Sequence, residues 1–174
     1  MGKWISILML IFLFVFSSCS LKSVFMSDSQ VINVQFDKLL ETIQNRDKED
    51  LKALFSKQAI SDAQTIDSNI ELLFDYFQGE DATYEDDHGL VVEEENKNGS
   101  KTKIIKKSYD VDTNIETFRF AICVVVSDDI NPENIGIWSV YVIRMKDDTN
   151  PAYAYWGDSQ YSPGINIGIR NMIQ

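Results

Sequence analysis

The 174-residue chain contains one histidine, two cysteines and three prolines. Each scarcity removes a class of chemistry. A single histidine excludes a His-Glu-x-x-His zinc motif, and two cysteines cannot form a paired-cysteine metal site. There is no Gly-rich phosphate loop and no Gly-x-Ser-x-Gly nucleophile elbow. Positive charge is also scarce, with 16 Lys and Arg against 27 Asp and Glu, a formal −11. Phosphate contacts need clustered cations, so nucleic acid is excluded as a partner. No cofactor and no metal are expected. Internal repeats and low-complexity blocks are absent.

What is present begins at the N-terminus. Lys3 precedes an apolar run from Trp4 to Phe16, followed by Ser17, Ser18 and Cys19. Thirteen helical residues would span only about 20 Å at 1.5 Å each, whereas a bilayer core of about 30 Å needs roughly 20 residues. The run is short for a membrane span and suits the h-region of a secretory signal. Small residues directly before a cysteine make a lipoprotein cleavage box, although Phe16 stands where such boxes most often carry Leu. The reading is a signal peptide over residues 1–18, lipidation of Cys19, and a tether through residue 29. A single domain then spans residues 30–174. Diacylglycerol on the thiol supplies two buried chains, enough for stable anchoring. This places the domain on the extracytoplasmic face of a cell membrane, held there through its lipid. Removing residues 1–18 takes Lys3 with it and leaves 15 basic against 27 acidic residues.

If Cys19 carries lipid, Cys123 has no disulfide partner. It lies in Phe-Arg-Phe-Ala-Ile-Cys-Val-Val-Val, where a buried, inert thiol is expected.

The first half of the domain has helical periodicity. Ile32, Phe36, Leu39, Leu40 and Ile43 form one stripe. Asp47 reads as the N-cap of a shorter helix with Leu51, Leu54 and Phe55 inward. A third helix is expected from Ser68, with Glu71 at capping-box spacing and Ile70, Leu73, Phe74 and Phe77 inward, ending at Gly79.

After Gly79 the period changes to two. A weak strand over Tyr84–Glu94 is interrupted by Asp-Asp-His-Gly, and Asn98-Gly99 marks a hairpin turn. Lys101–Val111 follows, with Lys101, Lys103, Lys106 and Lys107 read as a solvated face. Glu116–Ser127 is apolar on both faces and so is expected to be covered on both. In Ile135–Lys146, Ile137, Tyr141, Ile143 and Met145 share one face and Trp138, Val140 and Val142 the other. Ala152–Gly157 reads as an aromatic strand before an apolar tail of Ile165, Ile167 and Ile169. Helices followed by an antiparallel meander make an α+β fold, with the helices packed on a strongly curved sheet.

Several of these segments together carry a resemblance. They are the lipobox, Asp50–Ser56, Tyr109-Asp110-Val111, Gly136-Ile137-Trp138-Ser139 and Trp156-Gly157-Asp158. In them the chain resembles a family of lipoproteins, mostly of Gram-positive bacteria, that carry a domain of unknown function over roughly residues 30–170. That family is similar to the nuclear-transport-factor-2-like, or cystatin-like, superfamily. The resemblance implies a long helix cradled by a bent antiparallel sheet, forming a cone with an open pocket. The superfamily hosts enzymes, binding modules and dimerisation domains, so the fold does not name an activity.

Candidate residues are few. Histidine is the side chain whose ordinary titration lies near neutrality, which makes His88 the weak candidate for acid–base catalysis. Its polar surroundings, Glu85–Gly89, read as an exposed turn. The pairs Asp86-Asp87, Glu93-Glu94-Glu95, Asp128-Asp129 and Asp147-Asp148 lack calcium-loop spacing and read as solvated charge. Arg119, on an apolar strand, is expected to pair with Asp110 or Asp158 or to meet an anionic ligand. Trp138, Tyr141, Tyr153, Tyr155, Trp156 and Tyr161 cluster in the C-terminal third as core, pocket wall or partner surface. The ligand-binding candidates are Arg119, Trp138, Tyr141, Tyr155 and Trp156.

Three functional classes follow. One is a non-catalytic module that binds a small molecule or an envelope protein. Another is a cone-fold hydrolase or isomerase, which requires an ionisable side chain beside a second polar group in its cavity. The third is a structural envelope protein acting as a homodimer.

Overall fold

The structure, a computed structural model, describes residues 26–86, 88–147 and 161–168. The signal segment, Cys19, Tyr153, Tyr155, Trp156, Asp158, the aromatic strand and Ile169 lie outside the described residues. The elements are helices α1 (Asp28–Gln44), α2 (Lys48–Ala53), α3 (Lys57–Ala63) and α4 (Ile66–Tyr76). They precede strands β1 (Thr83–Glu85), β2 (Leu90–Lys97), β3 (Ser100–Asp112), β4 (Thr117–Asp128), β5 (Gly136–Arg144) and β6 (Gly164–Ile167). The fold is α+β, with a mixed six-stranded sheet that does not close.

Helix α1 starts where the sequence supplies a reciprocal cap. Ser27 Oγ accepts from the Gln30 amide at 3.3 Å, and Gln30 Oε1 accepts from the Ser27 amide at 2.9 Å. The stripe Ile32, Phe36, Leu39, Leu40 and Ile43 is buried as expected. Each such side chain contributes roughly 1.5–3 kcal/mol of transfer free energy. Asp47 caps α2 through the Asp50 amide, also as expected.

The third helical segment differs from the reading. An additional helix, α3, is capped by Ser56 through the Ala59 amide. Helix α4 begins at Ile66, two residues before Ser68, with no side-chain cap. Ser68 Oγ instead donates back to the Thr65 carbonyl, and Glu71 is drawn away to Lys48 at 2.9 Å. A local capping pattern loses here to burial of Ile66, Ile70, Leu73 and Phe74.

Strands β1 and β2 both pair antiparallel with β3, one after the other along the same edge. Asn98 and Gly99 take φ of 53° and 89°, the left-handed geometry of the expected hairpin turn. β4 and β5 continue the antiparallel ladder, and β6 joins parallel to β5. Register shifts occur at Lys103/Ile104 between β3 and β4, and at Cys123/Val124 between β4 and β5. Such bulges bend a strand and increase its twist.

The second shift corrects the face assignment of β5. Ile137 pairs with Val124 while Ser139 pairs with Cys123. Trp138 is the extra residue, so Ile137 joins Val140 and Val142 in the helix-facing core. Strict alternation would have put Ile137 with Tyr141.

The core lies between the helices and one sheet face. Phe36 of α1 stacks on Tyr109 of β3 with ring centroids 3.7 Å apart, and meets Phe120 edge-on at 5.6 Å. At the start of α1 the core becomes polar. Asn33 Oδ1 accepts from Tyr109 Oη at 2.8 Å and Lys107 Nζ at 3.3 Å, and Asn33 Nδ2 donates to Asp86 at 2.5 Å. Lys107 also pairs with Asp86. Lys107 is 2% exposed and Lys106 6%, so neither belongs to a solvated face. They point to opposite sides of the sheet, and each is taken up by a carboxylate. Burial pulls the Lys107 ammonium below the ordinary lysine range.

Asp128 is also not solvated charge. Its carboxylate accepts from the amides of Asn131 and Ile130 and from Asn134 Nδ2. The Asn131 amide leads in holding Asp128 below the usual carboxylate range.

β5 is tied to the helical layer at one point. Ser56 N donates to Ile137 O at 2.9 Å, and Ile137 N donates to Leu54 O at 3.0 Å. Gly136 sits against this bridge with φ of 131°, and a Cβ there would lie 3.0 Å from the Ser56 backbone nitrogen. Gly136→Ala is expected to cost about 2 kcal/mol through backbone strain and this contact. Urea unfolding reads it; a change under about 0.5 kcal/mol, the range of surface substitutions, would contradict it.

Candidate functional site

On the sheet face away from the helices, alternation places Lys106, Ser108 and Asp110 of β3 on one side. Their β4 partners Cys123, Ala121 and Arg119 follow. The chain crosses this face at Tyr161 and Ser162 before entering β6. Trp138 Nε1 donates to the Tyr161 carbonyl at 2.8 Å, and Ser162 N donates to Tyr141 Oη at 2.8 Å. The Tyr161 ring centroid lies 3.8 Å from Lys106 Nζ. Between this crossing and the β1–β2 connection opens a cleft of about 310 Å³, lined by His88, Gly89, Val91, Lys106, Ser108, Arg119 and Tyr161.

Charge in the cleft is organised in pairs. Arg119 grips Asp110 through two parallel bonds, Nε to Oδ1 at 2.7 Å and Nη2 to Oδ2 at 2.8 Å. Such bidentate pairing fixes both groups in one plane. His88 Nε2 stands 3.2 Å from Asp110 Oδ2. Arg119 first, and His88 after it, hold the Asp110 carboxyl below its usual range despite burial. Lys106 Nζ donates to Glu93 Oε1 at 2.6 Å. Burial pulls Lys106 down, but Glu93 and Tyr161 outweigh it and leave the ammonium above its ordinary range. Burial pushes the Cys123 thiol up to about 12, so it is no nucleophile near neutrality.

The pairing gives a pH signature. Asp110 titrates lower folded than unfolded, where a carboxyl titrates near about 3.9. Its stabilisation is therefore fully present above that value and is lost as pH falls through the folded one. Wild type should exceed Asp110→Asn by about 1–2 kcal/mol at pH 6, a figure reduced for the partial exposure of the pair. The gap should stay level down to about pH 5 and close below about pH 4. Urea titrations at each pH measure it, and a gap that widens towards acid would refute the pairing.

Residues 38–145 match the family described as a domain of unknown function, DUF5104. The chain belongs to this family. No curated protein matches it. The DUF5104 match runs from within α1 past the end of β5, and so contains His88, Lys106, Ser108, Asp110 and Arg119 but not Tyr161.

The DUF5104 structure separates the sequence candidates. Arg119 and His88 meet at Asp110, and His88 is half-buried rather than in an exposed turn. Trp138 and Tyr141 hold the crossing segment and are not among the cleft-lining residues. Tyr155 and Trp156 lie outside the described residues. Lys106 and Ser108 were missed, although the alternation of β3 placed them beside Asp110. A larger depression of about 410 Å³ surrounds Arg46, Gln78 and Asn114. Three of its polar side chains are already engaged, Arg46 Nη2 with Phe74 O, Gln78 Nε2 with Asp75 O and Asn114 Oδ1 with the Glu80 amide. Among the described residues no group of three or more His, Cys, Asp and Glu could hold a metal ion, and no helix is long and apolar enough to cross a membrane.

Proposed function

We propose that this DUF5104 protein is a lipid-tethered, extracytoplasmic binding module that holds a small polar molecule, or a polar segment of an envelope protein, in the cleft beneath Tyr161. On this reading residues 1–18 are removed, Cys19 carries the lipid, and the short tether keeps the domain close to the membrane. The finer fold reading, a nuclear-transport-factor-2-like cone, belongs to the same proposal. It is supported by the long helix α1 packed against a sheet with two adjacent bulges.

The observation that carries the binding reading is the cleft itself. It combines apolar Val91, an aromatic edge and several hydrogen-bonding side chains in about 310 Å³, a size suited to a small ligand. Thermal and urea unfolding of the full chain in mild detergent tests it against a panel of carboxylates, phosphate esters, sugars and amines. A ligand at 100 times its Kd should add about 2.7 kcal/mol. The reading fails if no panel member both stabilises the chain and shifts the backbone resonances of Lys106 and Gly89. Palmitate labelling tests the anchor. Label should enter the intact chain and be lost in Cys19→Ala, and an unlabelled wild-type chain would overturn the tether.

One observation favours a second, catalytic reading. His88 abuts a carboxylate that Arg119 orients, an arrangement suited to a general base in a cone-fold hydrolase or isomerase. His88→Gln separates the two. A binding module keeps its affinity within threefold, whereas an enzyme keeps binding and loses turnover of the bound compound.

A further inference from the structure

We infer that the cleft beneath Tyr161 selects a small soluble oxyanion, a carboxylate or phosphate monoester, bound by Lys106 Nζ and Ser108 Oγ. The inference rests on reading the cleft as a binding site and adds the chemical class of its occupant.

The argument is a balance of donors and acceptors. Asp110 and Glu93, the carboxylates that touch the described cleft-lining residues, are already engaged. Asp110 takes both bonds from Arg119 and the close approach of His88, and Glu93 takes Lys106. Donors remain in excess. The Lys106 ammonium carries three N–H groups, spends one on Glu93 and turns a second to Tyr161, which leaves the third for a ligand. Ser108, 8% exposed, makes no side-chain hydrogen bond among the described residues. Both line the cleft, and both stand on the same face of β3, two residues apart. That separation is about 6.6 Å along the strand, which an oxyanion accepting bonds of about 2.8 Å from each side can bridge.

The alternatives fit less well. A cationic ligand would meet Lys106 and Arg119, and among the described cleft-lining residues there is no carboxylate to receive it. A neutral ligand poor in acceptors would bury the Lys106 and Ser108 donors unpaired, the costly outcome for polar groups removed from water. An oxyanion satisfies both donors at once, and hydrogen bonds between charged partners are the stronger kind.

The test is titration of the isotope-labelled full chain in mild detergent with inorganic phosphate, succinate and glucose in separate arms, read by backbone amide shifts. Phosphate or succinate should saturate shifts at Lys106, Ser108 and Gly89. Lys106→Met and Ser108→Ala should each weaken that binding at least tenfold, while Lys106→Arg retains most of it. If Lys106→Met does not fold, Ser108→Ala and Lys106→Arg carry the test. Saturation by glucose alone at these residues would overturn the oxyanion while leaving the binding site standing. If all three arms fail at the cleft, the oxyanion inference falls. If the wider ligand panel also leaves Lys106 and Gly89 unmoved, the binding-site reading falls with it.

Discussion

Phe36→Ala is expected to destabilise the domain by about 3–5 kcal/mol, the range for emptying a buried aromatic site. Phe36 is fully buried on the inner stripe of α1. Its ring stacks on Tyr109 at 3.7 Å, with Tyr84 edge-on at 5.0 Å and Phe120 at 5.6 Å. These three neighbours belong to β3, β1 and β4, held in place by the β1–β3 and β3–β4 ladders, so they cannot collapse together into the space. The loss therefore includes the cavity as well as the transfer term. Urea unfolding of the full chain in mild detergent measures it, with Val34→Ala on the exposed side of the same helix as the control. Val34 is 39% exposed, and its replacement should change stability by no more than about 0.5 kcal/mol. Equal effects at the two positions would mean that α1 does not pack through this stripe.

The second large effect is expected at Asn33. Replacement by leucine preserves bulk but removes the one side chain that joins Tyr109, Lys107 and Asp86. The Tyr109 hydroxyl, fully buried and pushed far above its ordinary range by that burial, would lose its acceptor. Lys107 would keep Asp86 and the face of the Tyr109 ring but lose its bond to the Asn33 amide oxygen. One or two stranded polar groups at about 1–3 kcal/mol each give an expected loss of about 2–4 kcal/mol. The cause can be isolated, because adding Tyr109→Phe to Asn33→Leu removes the stranded hydroxyl. The double variant should then be less destabilised than the sum of the two single variants by about 1 kcal/mol. Simple additivity would show that the network carries no shared energy.

These two sites also show how far the sequence could be read. Phe36 was legible because its stripe repeats with the helix period, and every member of the stripe is buried. Asn33 was not, because nothing local distinguishes a polar residue on the margin of a helix from one reaching a lysine 74 positions away. The lysines of β3 failed for a related reason. Alternation placed Lys106 and Lys107 on opposite faces, but composition favoured leaving both in water. Only Glu93 and Asp86, brought in from the neighbouring edge, make their burial tolerable. The Arg119–Asp110 pair was foreseeable as a cross-strand pair across a tight turn, whereas the arrival of His88 depends on an interruption whose path the sequence does not specify. Ser68 illustrates the reverse error, in which a correct local motif yielded to the burial of Ile66.

The interruption between β1 and β2 has a consequence in parity. Glu85 faces Asp110 and Leu90 faces Lys107, so five steps along the edge run against three along β3. The surplus is two residues, an even number. The in–out rhythm of β1 therefore resumes in β2 without a change of phase, and Glu85, Val91 and Glu93 keep to one side. Asp86 and His88 arise inside this short excursion and are delivered to opposite sides of the sheet, one to the buried lysine and the other to the Arg119–Asp110 pair. A one-residue slip of β2 against β3 would turn Glu93 towards the helices and Val92 towards Tyr161, so the pairing of this edge is constrained in register as well as in composition.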